Sequence, residues 1–282
     1  GTKMFIVGDI GKDVNEYTLS VGFDLSSTIA FVDSFSVSAQ ETSPKGVSFN
    51  TDGTKMFIVG SDGDEVNEYA LTTGFDVSTA SFTDAFDVSS QEISAGGMAF
   101  NTDGTKMFIV GAHGNDVGEY ALSTGFDVST ASYTDAFDVS SQDLTPAGIA
   151  FNADGTKMFV VGEAGQDVNE YALSTGFDVS TASYTQNFSV SSQGTYPTGL
   201  AFNADGTKMY VVDDSGNAVY QYSTTGAVAH STNKMNSTTL NAITDANQIS
   251  LGTDLDFAVI LYYNTGSTVP TYSGTAMNYD AA

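Results

Sequence analysis

The tripeptide Gly-Thr-Lys stands at residues 1, 53, 104, 155 and 206, so one unit of 52 residues and then units of 51 recur along the chain. The surrounding residues recur with it: FNTDGTKMFIVG at 49–60 and again at 100–111, FNADGTKMFVVG at 151–162, and FNADGTKMYVV at 202–212. A tandem repeat of this length confines the fold to architectures in which each unit is one supersecondary module that buries its faces against its neighbours.

Each unit reads as four short strands. In the third full copy GIAFN (148–152) and KMFVVG (157–162) flank Ala153-Asp154-Gly155, a hairpin signal because glycine accepts positive φ. DVNEYAL (167–173) follows a short loop, and SYTQNFSVS (183–191) follows the connection STGFDVSTA. No segment carries a helical period. The chain is therefore expected to be all-β, a β-propeller of about five four-stranded antiparallel blades built from 51- to 52-residue repeats, with a short C-terminal β segment. A solenoid fits less well, because its units usually hold fewer and more evenly spaced strands.

FNADGTKMYVV resembles the YVTN and NHL-type propeller repeats, in which an SPDGxxLYV-like hairpin joins the first two strands of a blade. The resemblance covers residues 1 to about 225 and implies blade architecture without implying a function. With strands lettered A to D from the axis outward, the chain supplies B, C and D, three full sets, then A, B and C ending near Thr224. Residues 1–225 are thus expected to form propeller repeats that start in mid-blade at strand B, and residues 226–282 a C-terminal β segment. Two outcomes stay open. That segment supplies the missing D and A strands and completes the ring, or the chain is an open slice of a longer protein whose bare blade faces drive homo-oligomerisation. Its runs LDFAVILYYN and TVPTYSGTAMNYD are similar to β modules of structural and tail-associated proteins of marine phages.

Charge narrows the partners. Thirty-four acidic residues face eight basic ones for a net charge of −26, and all eight basic residues are lysines. Such a field repels nucleic acid and anionic lipid, so neither nucleic-acid binding nor membrane insertion is expected. The longest apolar run, Phe257 to Tyr263, falls far short of the roughly 20 residues that span a bilayer, and no signal peptide is visible. Without cysteine there are no disulfides and no thiolate ligands. The acidic, lysine-poor surface suits salty water and fits a marine source and an extracellular or virion location.

Motifs for chemistry are sparse. His113 and His230 are singular, no HExxH or GxSxG occurs, and lactonase-type propellers are expected to use charged residues including arginine around the axis. This favours a non-enzymatic module for binding, adhesion or structure, with protein or glycan on a surface as partner. The alternatives are a propeller hydrolase or lyase acting on a small metabolite or glycan, and a fragment of a longer tail or surface protein. No cofactor is expected. Asp62, Asp64 and Glu65 are calcium candidates, with Asp213-Asp214 a second group, although solvated turn carboxylates read more simply.

Comparing the repeats with one another locates a site. The A–B turns and the C–D connections barely change, whereas the B–C loops (DIGK, SDGDE, AHGN, EAGQ, DSGN) and the D–A loops (QETSPKG, QEISAGG, QDLTPAG, QGTYPTG) do. Alternating strand direction puts both variable sets on one face, where binding specificity usually lives. The ligand-binding candidates are accordingly Asp9, Lys12, Lys45, Asp62, Asp64, Glu65, His113, Glu163, Gln166, Tyr196, Asp214 and Asn217. The recurring aromatics are read as core packing between blades. The recurring lysines Lys3, Lys55, Lys106 and Lys157 are expected to pair with Glu16, Glu68, Glu119 and Glu170 across the B–C hairpin, at about 0.2–1 kcal/mol per exposed pair, the alternative being a lysine ring that holds an anion.

Overall fold

A computed structural model describes residues 1–224, 243–250 and 257–262. They form five four-stranded antiparallel sheets arranged as the blades of a propeller. From the axis outward, blade 2 consists of Pro44–Phe49, Lys55–Gly60, Glu65–Leu71 and Ala80–Asp87. Blade 3 consists of Ala95–Phe100, Lys106–Gly111, Asp116–Leu122 and Ala131–Asp138, and blade 4 of Pro146–Phe151, Lys157–Gly162, Asp167–Leu173 and Ala182–Ser189. In blade 5, Pro197–Phe202, Lys208–Asp213 and Ala218–Thr224 are followed by Ile243–Ser250 as outer strand. Blade 1 runs Lys3–Gly8, Asp13–Leu19 and Ile29–Ser36, and its inner strand is Phe257–Tyr262, paired antiparallel with Lys3–Gly8. The five inner strands pack side by side around the axis. The C–D connections contain single 3-10 turns at Val77–Thr79, Val128–Thr130 and Val179–Thr181, too short for a hydrophobic period to reveal.

Strand B is buried on both sides (KMFIVG is buried from its second residue onward), because one of its faces meets the preceding blade and the other the next. Strand D, the outermost, is largely exposed. Phenylalanines lock adjacent blades together. Phe5 of blade 1 lies 4.6 Å from Phe49 on strand A of blade 2, and both contact Phe75 in the C–D connection of blade 2. Phe57, Phe100 and Phe126 repeat the triad one blade on, and Phe108, Phe151 and Phe177 repeat it again.

The lysine–glutamate pairs form, but they are not exposed hairpin pairs. Lys3–Glu16, Lys55–Glu68, Lys106–Glu119 and Lys157–Glu170 close at 2.6–2.8 Å with every glutamate side chain buried. Most of them also reach into the next blade. Lys55 donates to the Phe126 carbonyl and Glu68 accepts from the Val128 amide; Lys106 and Glu119 treat Phe177 and Val179 alike. The phenylalanine that offers its carbonyl holds a left-handed φ of 57–59° at residues 23, 75, 126 and 177. That conformation costs roughly 1–2 kcal/mol in a residue with a Cβ, and the staple offsets it. Its ring lies over the Gly of the A–B turn, where an added Cβ at Gly53 would sit 2.3 Å from Phe75. The recurrence of GTK and of the Gly-Phe pair in the C–D connection is therefore one feature, the contact between blades. The last blade closes the ring onto the first in the same way, with Lys208 and Tyr210 donating to the Phe23 carbonyl and Gln221 accepting from the Leu25 amide.

Candidate functional site at the axial mouth

Every inner strand whose register is continuous with strand B carries a bulge near its start. Pro44 pairs with Gly60 and Gly46 with Val59, leaving Lys45 as the extra residue; Gly96, Ala147 and Thr198 are its counterparts. A bulge re-aims the side chain it carries. Gly96, Ala147 and Thr198 line an axial cavity of about 310 Å³ whose walls are otherwise glycine, alanine and apolar side chains apart from Ser48 and Asn203. The blades approach closely here: a Cβ on Gly96 would meet the Ala147 backbone at 2.8 Å. Among the described residues only blade 2 places a long side chain at this position, and Lys45 is largely buried.

The rim around Lys45 is built by the first residue after each strand B. These residues are Asp9, Ser61, Ala112, Glu163 and Asp214, and the last four donate their amide to the residue that leads into strand A (Ser43, Ser94, Thr145 and Tyr196). Lys45 bonds Asp9 at 2.9 Å. Burial and the neighbouring Asp143 carboxylate push the Glu163 carboxyl above the usual range, while Lys45 pulls it back. Lys45 and Glu163 belong to blades 2 and 4, and the cation is the weakest of the three influences on the carboxyl. A cation and a carboxyl with raised proton affinity thus stand on the same face, outside the lining of the axial cavity.

The other candidates are distributed differently. Lys12, Asp64, Gln166 and Asn217 occupy one equivalent position, the left-handed residue that ends each B–C turn at φ 46–54°. In three of them the carbonyl accepts from Val37, Val88 or Val190 past strand D, so the backbone does the structural task and the side chain varies freely. Asp62 accepts from Thr42, Glu65 opens strand C opposite Asp87, and His113 is exposed. Tyr196 is exposed and its amide donates to Asp213. Asp62, Asp64 and Glu65 do not converge: among the described residues no three His, Asp or Glu side chains gather to hold a metal ion. His230 and most of the C-terminal segment similar to phage β modules lie outside the described residues.

A set of buried acids escaped the sequence reading. Glu41 accepts from the amides of Ser43, Asp62 and Gly63, and Glu92 from those of Ser94, His113 and Gly114, clamping each D–A loop to a B–C loop. Asp143 does the same for Thr145 and Gly165. Blade 5 moves the acid: Asp213 replaces the glycine that ends strand B, and Gly194 replaces the loop acid. A Cβ on Gly194 would fall 2.0 Å from the Asp213 carboxylate, so the two exchanges require each other. The signal was present in the sequence as QE, QE, QD and then QG, with the acid reappearing at 213.

No protein-family model matches the chain, and no curated protein matches it in sequence. Solved structures of similar shape are propellers. A protein from Lactobacillus plantarum aligns at TM-score 0.50 and 11% identity over 88% of this chain and 68% of its own. A candidate 6-phosphogluconolactonase of Bacteroides uniformis aligns at 0.47 and 12%, covering 85% and 71%. The periplasmic gluconolactonase of Pseudomonas aeruginosa aligns at 0.46 and 15%, covering 89% and 70%. This chain spans 62% of the length of a further solved match. At these identities the likeness speaks for the fold. Solved propellers described as lactonases are among the matches, against the expected non-enzymatic binding, adhesion or structural module. The axial cavity itself is lined by no charged side chain among the described residues; Lys45, Asp9 and Glu163 belong to the segments at one end of the blades. Nothing in the comparisons connects the chain to phage proteins.

Proposed function

We propose that the chain is a propeller hydrolase that adds water to the carbonyl of a small ester or lactone at the axial mouth. The observation that carries this reading is the pairing of Lys45 with Asp9 at 2.9 Å at a strand position whose counterparts line the axial cavity of about 310 Å³, together with the raised proton affinity of Glu163 on the same face. Hydrolysis at a carbonyl needs a base to take a proton from water and a positive group to meet the oxyanion, and a base works best when its proton affinity is raised toward the working pH. Glu163 takes the proton as the water oxygen bonds to the carbonyl carbon. The Lys45 ammonium, held by Asp9, stabilises the tetrahedral anion. Collapse breaks the bond to the leaving oxygen, Glu163 returns the proton to it, and the products are a carboxylic acid and a hydroxyl. The narrow glycine-walled cavity fits a small substrate.

The test is turnover of a panel of small lactones and acyl esters by the chain, by Glu163→Gln and by Lys45→Met. Expected is hydrolysis above the buffer rate that falls about 10²–10⁴-fold in Glu163→Gln, with the acidic limb of the pH–rate profile moving to higher pH in Lys45→Met, because the cation no longer lowers the Glu163 pKa. No turnover by the parent chain on any member of the panel, or variants that turn over as fast as the parent, overturns the reading.

A further inference from the structure

One strand position breaks the repeat where the backbone does not ask for it. Strand C carries Asn15, Asn67, Asn169 and Tyr220 at equivalent places in blades 1, 2, 4 and 5, and Gly118 in blade 3. A Cβ there would meet nothing closer than the Tyr120 ring edge at 3.4 Å, an ordinary contact. Glycine inside a strand weakens it and is otherwise found where another group approaches. Its effect here is space: a cleft of about 290 Å³ opens beside Gly118, between the D–A loop that enters blade 3 and the outer half of that blade.

Ser90 and Gln91 line the cleft beside Glu92, Asp116, Tyr120 and Tyr133, but the donors that serve the counterpart of Asp116 in blade 4 are missing. In blade 4 the equivalent carboxylate, Asp167, accepts from the Asn169 amide at 2.7 Å and also from Asn187. Blade 3 has Gly118 and Ala136 in place of those two asparagines, and Asp116 accepts no hydrogen bond among the described residues. Tyr120, 1% exposed, has an unpartnered hydroxyl 3.8 Å from the position a Gly118 Cβ would take, whereas the equivalent Tyr69, Tyr171 and Tyr222 each bond a glutamine at 3.3–3.4 Å. A buried, unpaired hydroxyl normally finds a partner. Glu92, the other acid in the wall, is already committed to backbone amides, and no lysine lines the cleft. Burial, with the Glu92 and Asp138 charges, raises the Asp116 proton affinity.

We propose that this cleft is a binding site for a small organic cation bearing a primary ammonium group. The ammonium supplies to Asp116 the N–H donors that the two asparagines supply in blade 4, the Tyr120 oxygen accepts another of its protons, and the Tyr133 ring offers an aromatic face for the attached carbons. The site is separate from the axial mouth and does not depend on the proposed hydrolysis.

n-Butylammonium serves as the probe and n-butanol as its neutral isostere, in titrations followed by NMR chemical shifts of the Tyr120 and Tyr133 rings and by calorimetry. Saturable binding of butylammonium is expected, with shifts confined to these rings, at least tenfold weaker binding by Asp116→Asn, and loss of binding in Gly118→Asn. The last variant installs the residue that blades 1, 2 and 4 already carry, so its fold is safe. Absence of saturable shifts at Tyr120 in the parent chain overturns the proposal, as does undiminished binding by Gly118→Asn. Equal binding of butanol overturns the cationic class and assigns the cleft to neutral polar ligands.

Discussion

On the face of the A–B turns, Lys3, Lys55 and Lys106 each pair with a glutamate of their own blade and bond a phenylalanine carbonyl of the next, while Glu16, Glu68 and Glu119 each take a valine amide there. On the opposite face, one position of strand A reads Lys45, Gly96, Ala147 and Thr198, and one position of the rim reads Asp9, Ser61, Ala112, Glu163 and Asp214. The same module supplies both faces. Where a side chain contacts the neighbouring blade, five-fold repetition of the partner forces repetition of the residue. Where it faces the axis or solvent, nothing forces it, and singular residues collect. What separates scaffold from site in such a protein is therefore departure from the repeat, weighed against whether the backbone tolerates the change.

The largest effect is expected on the repeated face. Glu119→Ala leaves Lys106 without its carboxylate and the buried Val179 amide without an acceptor, and removing one partner of a buried pair costs about 3–5 kcal/mol. Urea unfolding of this variant should show a loss of at least about 3 kcal/mol by that measure. A loss under about 1 kcal/mol, the scale of an exposed pair, would make the staple a surface ornament and erase the contrast between the two faces.

Much of this architecture was legible. Strands KMFVVG and DVNEYAL appear where the sequence placed them, and the division of variable from constant loops holds. Other features could not be read, for physical reasons. The second acceptor of Lys55 lies 71 residues downstream, a contact created by the packing of one blade on the next rather than by the hairpin. The bulge that leaves Lys45 as the extra residue is a matter of register, which residue identities at 44–46 do not encode. Lys12, Asp64, Gln166 and Asn217 looked like binding residues because they vary, yet at a left-handed turn position the carbonyl is constrained and the side chain is not. Gly118 was visible as a break in the repeat, but its meaning depended on Asp116, Tyr120 and Ala136 meeting around the space it leaves.

An intermediate effect should come from the loop acids, which sit on the variable face but behave like scaffold. Glu92→Gly removes a carboxylate that accepts three amide hydrogen bonds, and bonds to charged groups contribute about 1.5–3 kcal/mol. Gly111→Asp alone should also destabilise, since a Cβ there meets the Glu92 carboxyl carbon at 2.4 Å and the Ser94 carbonyl at 2.5 Å. Together the two changes reproduce the arrangement of Asp213 and Gly194 in blade 5. The double variant should be more stable than the sum of the single losses by about 1 kcal/mol or more, the size of coupling expected for residues in contact. Strict additivity in thermal unfolding would mean that blade 5 reaches its arrangement by some route other than exchange of the acid.

The smallest effect is expected at the axial mouth, and its sign tells site from scaffold. Burial and Asp143 raise the folded-state pKa of Glu163 above its unfolded value. Between the two values the folded chain binds more protons, so the stability tied to this group is present at low pH, declines as pH rises through that window, and stays lower above it. Glu163→Gln removes the dependence. The variant should match the parent below the window and exceed it at neutral pH by less than about 1 kcal/mol, because the carboxylate is only half-buried and solvent screens it. A residue kept for the fold shows the reverse, a loss on replacement, as predicted for Glu119. If urea midpoints at neutral pH fall in Glu163→Gln by as much as in Glu119→Ala, Glu163 belongs to the scaffold and the assignment of chemistry to the axial mouth fails. If they hold or rise while turnover collapses, this carboxylate is retained against stability for what it does.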